Sequence, residues 1–270
     1  MTSPAVDRGL LAGLLLGLGG AACAADTDEE LQKKLANPIA DRVTVPFQST
    51  TTLDVGPLKK PQHTLNIQPV YPMVLSGGSL FVNRLIVPVL SNPAFAPAED
   101  RRTGLGDITY EAFFVPPGKG GTLWGFGPIV QLKTASDDRL GSGKWSAGPA
   151  AIVFAQPDPW SVGVLLTQRW SFAGDDDRAS VSQMEIQPIA SYRLGPRHSI
   201  AYTGIIAANW HEPRASQRWT VPLGATYSIL TKPPGFVPVN YIVGGGYNVI
   251  RPDTAGTWFL RVQVNFVLAK

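Results

Sequence analysis

The sequence predicts an all-β protein, a transmembrane antiparallel β-barrel of about 12 strands that follows a short N-terminal helix. Three observations predict it. Long segments alternate apolar and polar residues, their connections alternate between short and long, and tryptophans lie near segment ends. Globular strands are usually about five or six residues long, whereas these segments have the length that a tilted strand needs to cross a bilayer.

The composition of the 270-residue chain agrees with many strands joined by turns. The chain contains 28 glycines and 24 prolines, and only 16% of its residues are charged. Such a composition does not suit a helical bundle. The formal net charge is +3, and the lysines and arginines are scattered among acids. Nucleic acid is therefore not an expected partner.

Residues 1–24 have the layout of a secretory signal peptide. Arg8 precedes an apolar run, and small residues follow it, with a cleavage site after Ala24. The run is shorter than the roughly 20 residues that a membrane-spanning helix needs. Cys23 leaves with this peptide, so the mature chain would have no cysteine; the alternative is a lipid-carrying Cys23. In that case Gly20 stands where a leucine is expected.

Residues 25–42 form the next predicted segment. Early acids, late lysines and Pro38 predict one short helix from about Asp28 to Ala36, with Asp28 as its cap. The segment either stays in the periplasm or plugs the barrel, and both possibilities remain open at this stage. The barrel itself is assigned to residues 43–270.

The barrel strands follow in order along the rest of the chain. Each predicted segment starts after a turn rich in glycine, proline or charge and then alternates with a period of two. The segments are 43–55, 63–71, 79–90, 105–115, 122–133, 144–155, 160–172, 181–194, 199–210, 218–229, 237–249 and 257–268. In the last one, the set that starts at Trp258 and ends at Phe266 is predicted to face lipid.

The connections and the tryptophans give the barrel a direction. Every second connection, starting with the first, is longer and more charged, while the others are tight and rich in glycine and proline. This sorting is typical of outer-membrane barrels, which have short periplasmic turns and longer external loops. Both chain ends would then lie in the periplasm. The seven tryptophans near strand ends are expected to form an interfacial girdle.

Several stretches resemble a known bacterial family. "LANPIADRVTVPFQST", "TLNIQPVYP", "RLIVPVL", "GLGDITYEAFFVPP" and "GKWSAGPAAIVF" are similar to the outer-membrane family named for the meta-pathway of phenol degradation. The resemblance extends from about Leu35 to Leu268 and implies an outer-membrane barrel that passes small, apolar or aromatic molecules. It transfers no binding residues. The chain departs from the common pattern of a terminal aromatic, because four residues follow Phe266.

Charged and amide side chains on the polar faces of the strands are the candidate functional residues. Because a porin-like barrel has a polar interior, these residues are predicted to line the lumen. They are Arg84, Glu111, Lys133, Gln183, Glu185, Arg193, Arg261, Gln263 and Asn265. They would either line a wet pathway or pair with one another and close it.

The loops offer two weaker candidates. A divalent cation could bind Asp137, Asp138, Asp175, Asp176 and Asp177, although solvated loops are the preferred interpretation. His211 and Ser216 share a loop, as a lipid hydrolase would need, but no orienting residue is evident. No cofactor is expected, and a metal is not assigned.

The sequence thus predicts passive passage of small molecules through an outer-membrane barrel and no enzymatic activity. The alternative is a structural or surface-interaction barrel that does not conduct. The expected partners are outer-membrane lipid and lipopolysaccharide, the small-molecule solute and the barrel-assembly machinery. A monomer is expected.

Overall fold

The computed structural model describes residues 26–118 and 121–268. The predicted signal peptide and Cys23 lie outside these residues. The helices of the described ranges are α1 (Asp28–Ala36) and two short 3-10 helices, η1 (Ser76–Gly78) and η2 (Ala215–Gln217). None of them is long and apolar enough to cross a membrane.

All other regular structure in the described ranges is β-strand. The strands are β1 (Val43–Val55), β2 (Lys60–Ile67), β3 (Val70–Val74), β4 (Leu80–Asn92), β5 (Arg102–Leu105), β6 (Thr109–Val115), β7 (Thr122–Gln131), β8 (Lys144–Ala155), β9 (Trp160–Gly174), β10 (Ser182–Gly195), β11 (His198–Tyr202), β12 (Ile206–Asn209), β13 (Trp219–Thr231), β14 (Val239–Ile250) and β15 (Trp258–Leu268).

These segments form a closed antiparallel barrel with 12 positions. Pairing runs from each strand to the next, and β1 closes the barrel against β15, from Val43 opposite Leu268 to Thr52 opposite Phe259. Three positions hold two segments each: β2 with β3, β5 with β6, and β11 with β12. The predicted fold class and strand number are therefore confirmed.

The breaks in the three divided positions have local causes. Pro69 separates β2 from β3 and has no N–H to donate to a sheet ladder. Residues 106–108 separate β5 from β6, and the carboxylate of Asp107 there accepts hydrogen bonds from Ser142, Thr134 and Ala135 of a long connection. Residues 203–205 separate β11 from β12, where Gly204 has a φ of 137° that favours glycine.

Alternation along each strand sends apolar side chains outward. In β15, Trp258 is 56% exposed on the outside, whereas Phe259, its neighbour, is 6% exposed inside. Six of the seven tryptophans are exposed on the outer surface. Trp124 and Trp160 lie at the end with the short connections, and the other five lie toward the end with the long connections. Tryptophans at both ends of an apolar band are typical of a barrel in a bilayer.

The interior is not uniformly polar, contrary to the simple expectation for a porin-like lumen. Part of the inner wall carries a packed apolar cluster, to which β4, β6, β7, β8 and β9 all contribute. Its buried members are Ile39, Val82, Phe113, Val115, Ile129, Ala150, Ile152 and Leu165. Because Ile39 precedes the barrel strands, the segment after α1 also packs inside the barrel. The polar interior is thereby confined to the remaining wall.

Helix α1 is fixed by local and by long-range interactions. Thr27 caps it, because its hydroxyl accepts a hydrogen bond from the Glu30 N–H while the Glu30 carboxylate accepts one from the Thr27 N–H. The prediction that Asp28 caps the helix was therefore wrong. Leu31 of α1 is buried against Leu230 and Val267 of the barrel.

Candidate functional site

Three spaces follow one another through the polar part of the interior. An outer cavity of about 560 Å³ lies beneath the long connections, a gap of about 40 Å³ lies at mid-depth, and an inner cavity of about 290 Å³ reaches α1. Strand β10 gives their order, because Gln183 lines the outer cavity, Glu185 the gap and Ile189 the inner cavity. We call the 40 Å³ gap the constriction.

One side of the constriction holds an ion pair on the wall formed by β4 and β6. The Arg84 guanidinium donates to the Glu111 carboxylate at 3.3 Å and to the Gln68 side-chain oxygen at 2.6 Å. Arg84 and Glu111 are directly opposite each other in the strand register. Glu111 is only 4% exposed, so its charge depends on Arg84 for compensation.

The other side of the constriction holds a second ion pair, on β9 and β10. Arg169 donates to the Gln183 side chain at 2.8 Å and to the Glu185 carboxylate at 2.9 Å. Gln183 also donates to Glu185, at 3.1 Å. The sequence prediction missed Arg169. It is the only charged residue inside its predicted strand, 160–172, so selecting charged side chains on the polar faces of the strands would have found it.

Arg261 lines the inner cavity and is a cation without a carboxylate partner among the described residues. Its guanidinium donates to the Thr203 hydroxyl at 2.5 Å and lies 5.9 Å from the centre of the Phe259 ring. Among the described residues, no carboxylate oxygen lies within 4.0 Å of it, and its Nε is buried without a hydrogen-bond partner. Desolvating a charge in this way is costly unless another group compensates it.

The remaining residues of the predicted lumen set lie at different depths. Gln263 and Asn265 line the inner cavity and share a hydrogen bond of 2.7 Å. Lys133 lies at the outer end and pairs with Asp175. Arg193 lies at the inner end and pairs with Glu29 of α1 at 2.9 Å. The nine residues therefore form no single cluster.

Ion pairs to two short turns and a hydrogen bond from a third hold α1 across the inner end of the barrel. Asp28 contacts Arg197 at 2.5 Å and Lys232 at 2.8 Å, and these cations lie in different turns. The Gln156 side chain, from a third turn, donates to the Lys33 carbonyl at 2.8 Å. Hydrogen bonds from Lys232 and Arg197 hold the pKa of Asp28 below its ordinary value, because they stabilise the carboxylate form.

Asp26, just before α1, belongs to the same arrangement. It contacts Lys34 at 2.6 Å and also pairs with Arg42. The hydrogen bond from Lys34 is the main cause of a lowered pKa for Asp26; burial opposes this effect, and the charge of Arg42 adds to it. Both aspartates therefore remain charged at neutral pH, Asp28 against two barrel turns and Asp26 against cations of its own N-terminal segment.

Acidification should loosen α1 while the barrel stays closed. A lowered folded-state pKa means that, above about pH 4, the ordinary aspartate value, Asp28 stabilises the docking of α1 and Asp26 stabilises the structure of the segment around it. Both contributions disappear as pH falls through the lowered pKa values. Amide hydrogen exchange in α1, corrected for intrinsic rates, should be faster at pH 3 than at pH 7, with barrel strands still protected.

The same measurement on variants separates this cause from general acid damage. Asp28→Asn should raise exchange in α1 already at pH 7, because it removes the contacts to Arg197 and Lys232. Asp253→Asn, in a long connection at the opposite end, should leave α1 unchanged. Equal protection of α1 at both pH values would contradict a role for these carboxylates in docking.

The loop acids do not gather into a metal site in the described part of the chain. No group of three or more histidine, cysteine, aspartate or glutamate side chains is arranged there to hold an ion. Asp137 faces Arg102 and Arg139, and Asp175 faces Lys133. Of the five aspartates predicted to bind a cation, Asp137 and Asp175 therefore form salt bridges with side chains of the described structure.

His211 and Ser216 are both exposed in the connection between β12 and β13. The His211 backbone N–H donates to Asn209 at 3.1 Å. No hydrogen bond joins the two side chains in the described structure, so the nucleophile–base contact that a hydrolase needs is not formed there.

Comparison with solved structures places this fold among outer-membrane barrels. An outer-membrane channel from Pseudomonas putida F1 has a TM-score of 0.58 at 14% identity, over 84% of this chain and 96% of that one. The NanC porin has a TM-score of 0.53 at 8% identity, over 84% of this chain and 100% of the porin. At these identities the similarity establishes the fold alone.

Outer membrane phospholipase A from Escherichia coli also matches, at 14% identity over 91% of this chain and 99% of the phospholipase. Its TM-score of 0.40 is too low to carry an argument about function. No protein-family model matches the chain, and no curated protein matches it either.

Proposed function

We propose that this protein is a bacterial outer-membrane channel that passes small molecules passively. Its fold is that of channel and porin barrels, and its outer surface carries exposed apolar side chains and tryptophans. Residues 1–24 would be removed during export. The barrel would then contact outer-membrane lipid and lipopolysaccharide, insert through the barrel-assembly machinery, and act as a monomer.

The observation that carries the proposal is the order of spaces through the polar interior. A solute would enter the 560 Å³ outer cavity, pass the constriction between the Arg84–Glu111 and Arg169–Glu185 pairs, and reach the 290 Å³ inner cavity. Because each ion pair joins neighbouring strands, neither has to break for the path to widen. The lumen residues would then set selectivity, as in other barrels.

Residues 25–42 act as a plug in this proposal. The contacts of α1 with Arg193, Arg197 and Lys232 hold it across the inner end, and the inner cavity ends against Lys34 and Leu35 of the helix. Passage to the periplasm therefore requires α1 to move. Solute flow would depend on how often its surface ion pairs open, and exposed pairs are individually weak.

A non-conducting structural barrel is the second candidate. The apolar cluster around Ile129 and Ile152 favours it, because it fills part of the interior and leaves only a 40 Å³ constriction. In that case the long connections would carry the function through surface contacts. The unpaired guanidinium of Arg261 argues against it, since a purely structural interior has no use for an uncompensated charge.

Planar-bilayer recordings of the purified mature protein test the proposal. Discrete conductance steps would support a channel. Absence of steps from this protein and also from a variant lacking residues 25–40, with folding and insertion of both verified by circular dichroism and by membrane flotation, would reject the channel and favour the structural barrel. The same detergent buffer without protein serves as the control for detergent artefacts.

A further inference from the structure

The inner cavity has an unusual electrostatic composition. Within the ranges that the structure describes, no carboxylate lines it, whereas four cationic side chains do: Lys34, Arg42, Arg84 and Arg261. Asp26 compensates Lys34 and Arg42 from outside the lining, and Glu111 compensates Arg84. Four positive and two negative charges leave an excess of two positive charges around a space of about 290 Å³.

Arg261 is the centre of this excess. Its only hydrogen bond to the described residues goes to the neutral Thr203 hydroxyl, and its buried Nε has no partner. A guanidinium presents several N–H donors in a planar fork, which matches the two oxygens of a carboxylate. A carboxylate in the cavity would therefore compensate both the charge and the unused donor.

The rest of the lining restricts the chemistry further. Leu35, Val70, Ile189 and Ile242 contribute apolar groups to the lining, while Gln48, Gln68 and Gln263 contribute amides. Small-molecule sites combine apolar contacts with polar groups that fix orientation, and this lining offers both. Its volume lies near the lower end of the usual range of about 300–1,000 Å³.

We propose that the inner cavity binds a small monocarboxylate with an apolar body. The carboxylate would lie against Arg261 and the apolar body against Ile189 and Ile242. The inference rests on the proposed channel only for the route by which the ligand arrives. If the protein is a channel, the expected substrates are amphiphilic anions and not apolar solutes in general. The reason is that an uncharged solute would leave the charge of Arg261 uncompensated.

Equilibrium dialysis of radiolabelled benzoate against proteoliposomes of the mature protein, in low-chloride buffer, tests the site. Two further labelled probes separate its parts: benzyl alcohol keeps the ring but lacks the charge, and acetate keeps the charge but lacks the ring. We expect benzoate to bind at least tenfold more tightly than either probe. Protein-free liposomes give the correction for partition into lipid.

Arg261→Gln should weaken benzoate binding at least tenfold and leave benzyl alcohol binding unchanged. Arg214→Gln is the matched control, since this arginine lies in an exposed long connection and pairs with Glu212. Equal binding of benzoate and benzyl alcohol would overturn the proposal, as would an unchanged affinity in Arg261→Gln. Circular dichroism of each variant verifies that the barrel is folded.

The binding experiment and the conductance experiment can fail separately. Benzoate binding with no conductance steps from either the full-length protein or a variant lacking residues 25–40 would reject the channel and keep the site. Conductance steps without preferential benzoate binding would keep the channel and reject the monocarboxylate as its substrate class.

Discussion

Deletion of residues 25–40 is expected to raise the single-channel conductance several-fold. The deletion removes α1 and Ile39, and with them groups that bound the cavity at the inner end of the barrel. The barrel itself should persist, because its strands keep every backbone pairing from β1 to β15. Planar-bilayer recordings of the deletion variant beside the full-length mature protein provide the measurement.

A second variant tests whether the position of α1, and not merely its presence, limits the current. Asp28→Asn with Glu29→Gln retains the helix but removes its ion pairs with Arg197, Lys232 and Arg193. We expect frequent transitions between a low and a high level, since the apolar contact of Leu31 with Leu230 and Val267 remains. Glu99→Gln, in the long connection after β4, should behave like the unaltered protein.

The deletion also distinguishes the two candidate functions. If the full-length protein conducts poorly and the deletion variant conducts well, residues 25–40 are the plug. If both conduct equally, solutes bypass α1, and the proposed plug is wrong. If neither conducts although both are folded and inserted, the constriction is closed by its own side chains, and the structural barrel becomes the better interpretation.

The barrel could be predicted from the sequence because its signal is local. Each strand carries its own alternation, as in β15, where Trp258, Leu260 and Val262 point outward. Turn residues mark the strand ends, and the sorting of connections identifies the two rims. The breaks at residues 68–69 and 203–205 were not predicted, because the register against the neighbouring strand is the same on both sides of each break. At residues 106–108 the register against β4 shifts by one residue, and β5, which precedes this break, was not predicted.

The position of α1 could not be predicted, because its determinants are distant in the sequence. Asp28 and Arg197 are separated by 169 residues, and nothing near either residue identifies the other. Exposed acids in a short helix are equally compatible with a solvated segment. Only the closed barrel brings the three short turns to the same end as the N-terminal segment.

The interior packing was hidden for a different reason. A period of two separates the faces of a strand but does not say what lies across the lumen. Phe113 and Ile152 alternate correctly with outward residues on their own strands, yet both join the same interior cluster. The ion pairs likewise depend on register, which places Arg84 opposite Glu111.

Replacing both acids of the constriction is expected to shift the channel strongly toward anions. The charges of the two ion pairs, Arg84–Glu111 and Arg169–Glu185, cancel at the constriction, and Arg261 in the adjoining inner cavity gives the path an excess of one positive charge. Glu111→Gln with Glu185→Gln raises the excess to three without a large change in side-chain volume. The reversal potential in a KCl gradient should move toward the chloride equilibrium potential.

The reason lies in the narrowness of the gap. Across about 40 Å³ a permeating ion passes within a few ångströms of these groups, well inside the Debye length of about 10 Å at 0.1 M salt. The shift should therefore persist at 0.1 M and shrink at 1 M, where the Debye length is about 3 Å. Arg261→Gln should act in the opposite direction and weaken the anion preference of the unaltered protein.

Glu99→Gln again supplies the matched control, because its carboxylate pairs with Arg139 among the long connections, outside the three lumen spaces. It should leave the reversal potential unchanged. An unchanged reversal potential in Glu111→Gln with Glu185→Gln, from a folded and conducting protein, would mean that ions do not pass between the two pairs. The conduction path would then lie elsewhere in the barrel, and the order of spaces along β10 would lose its functional meaning.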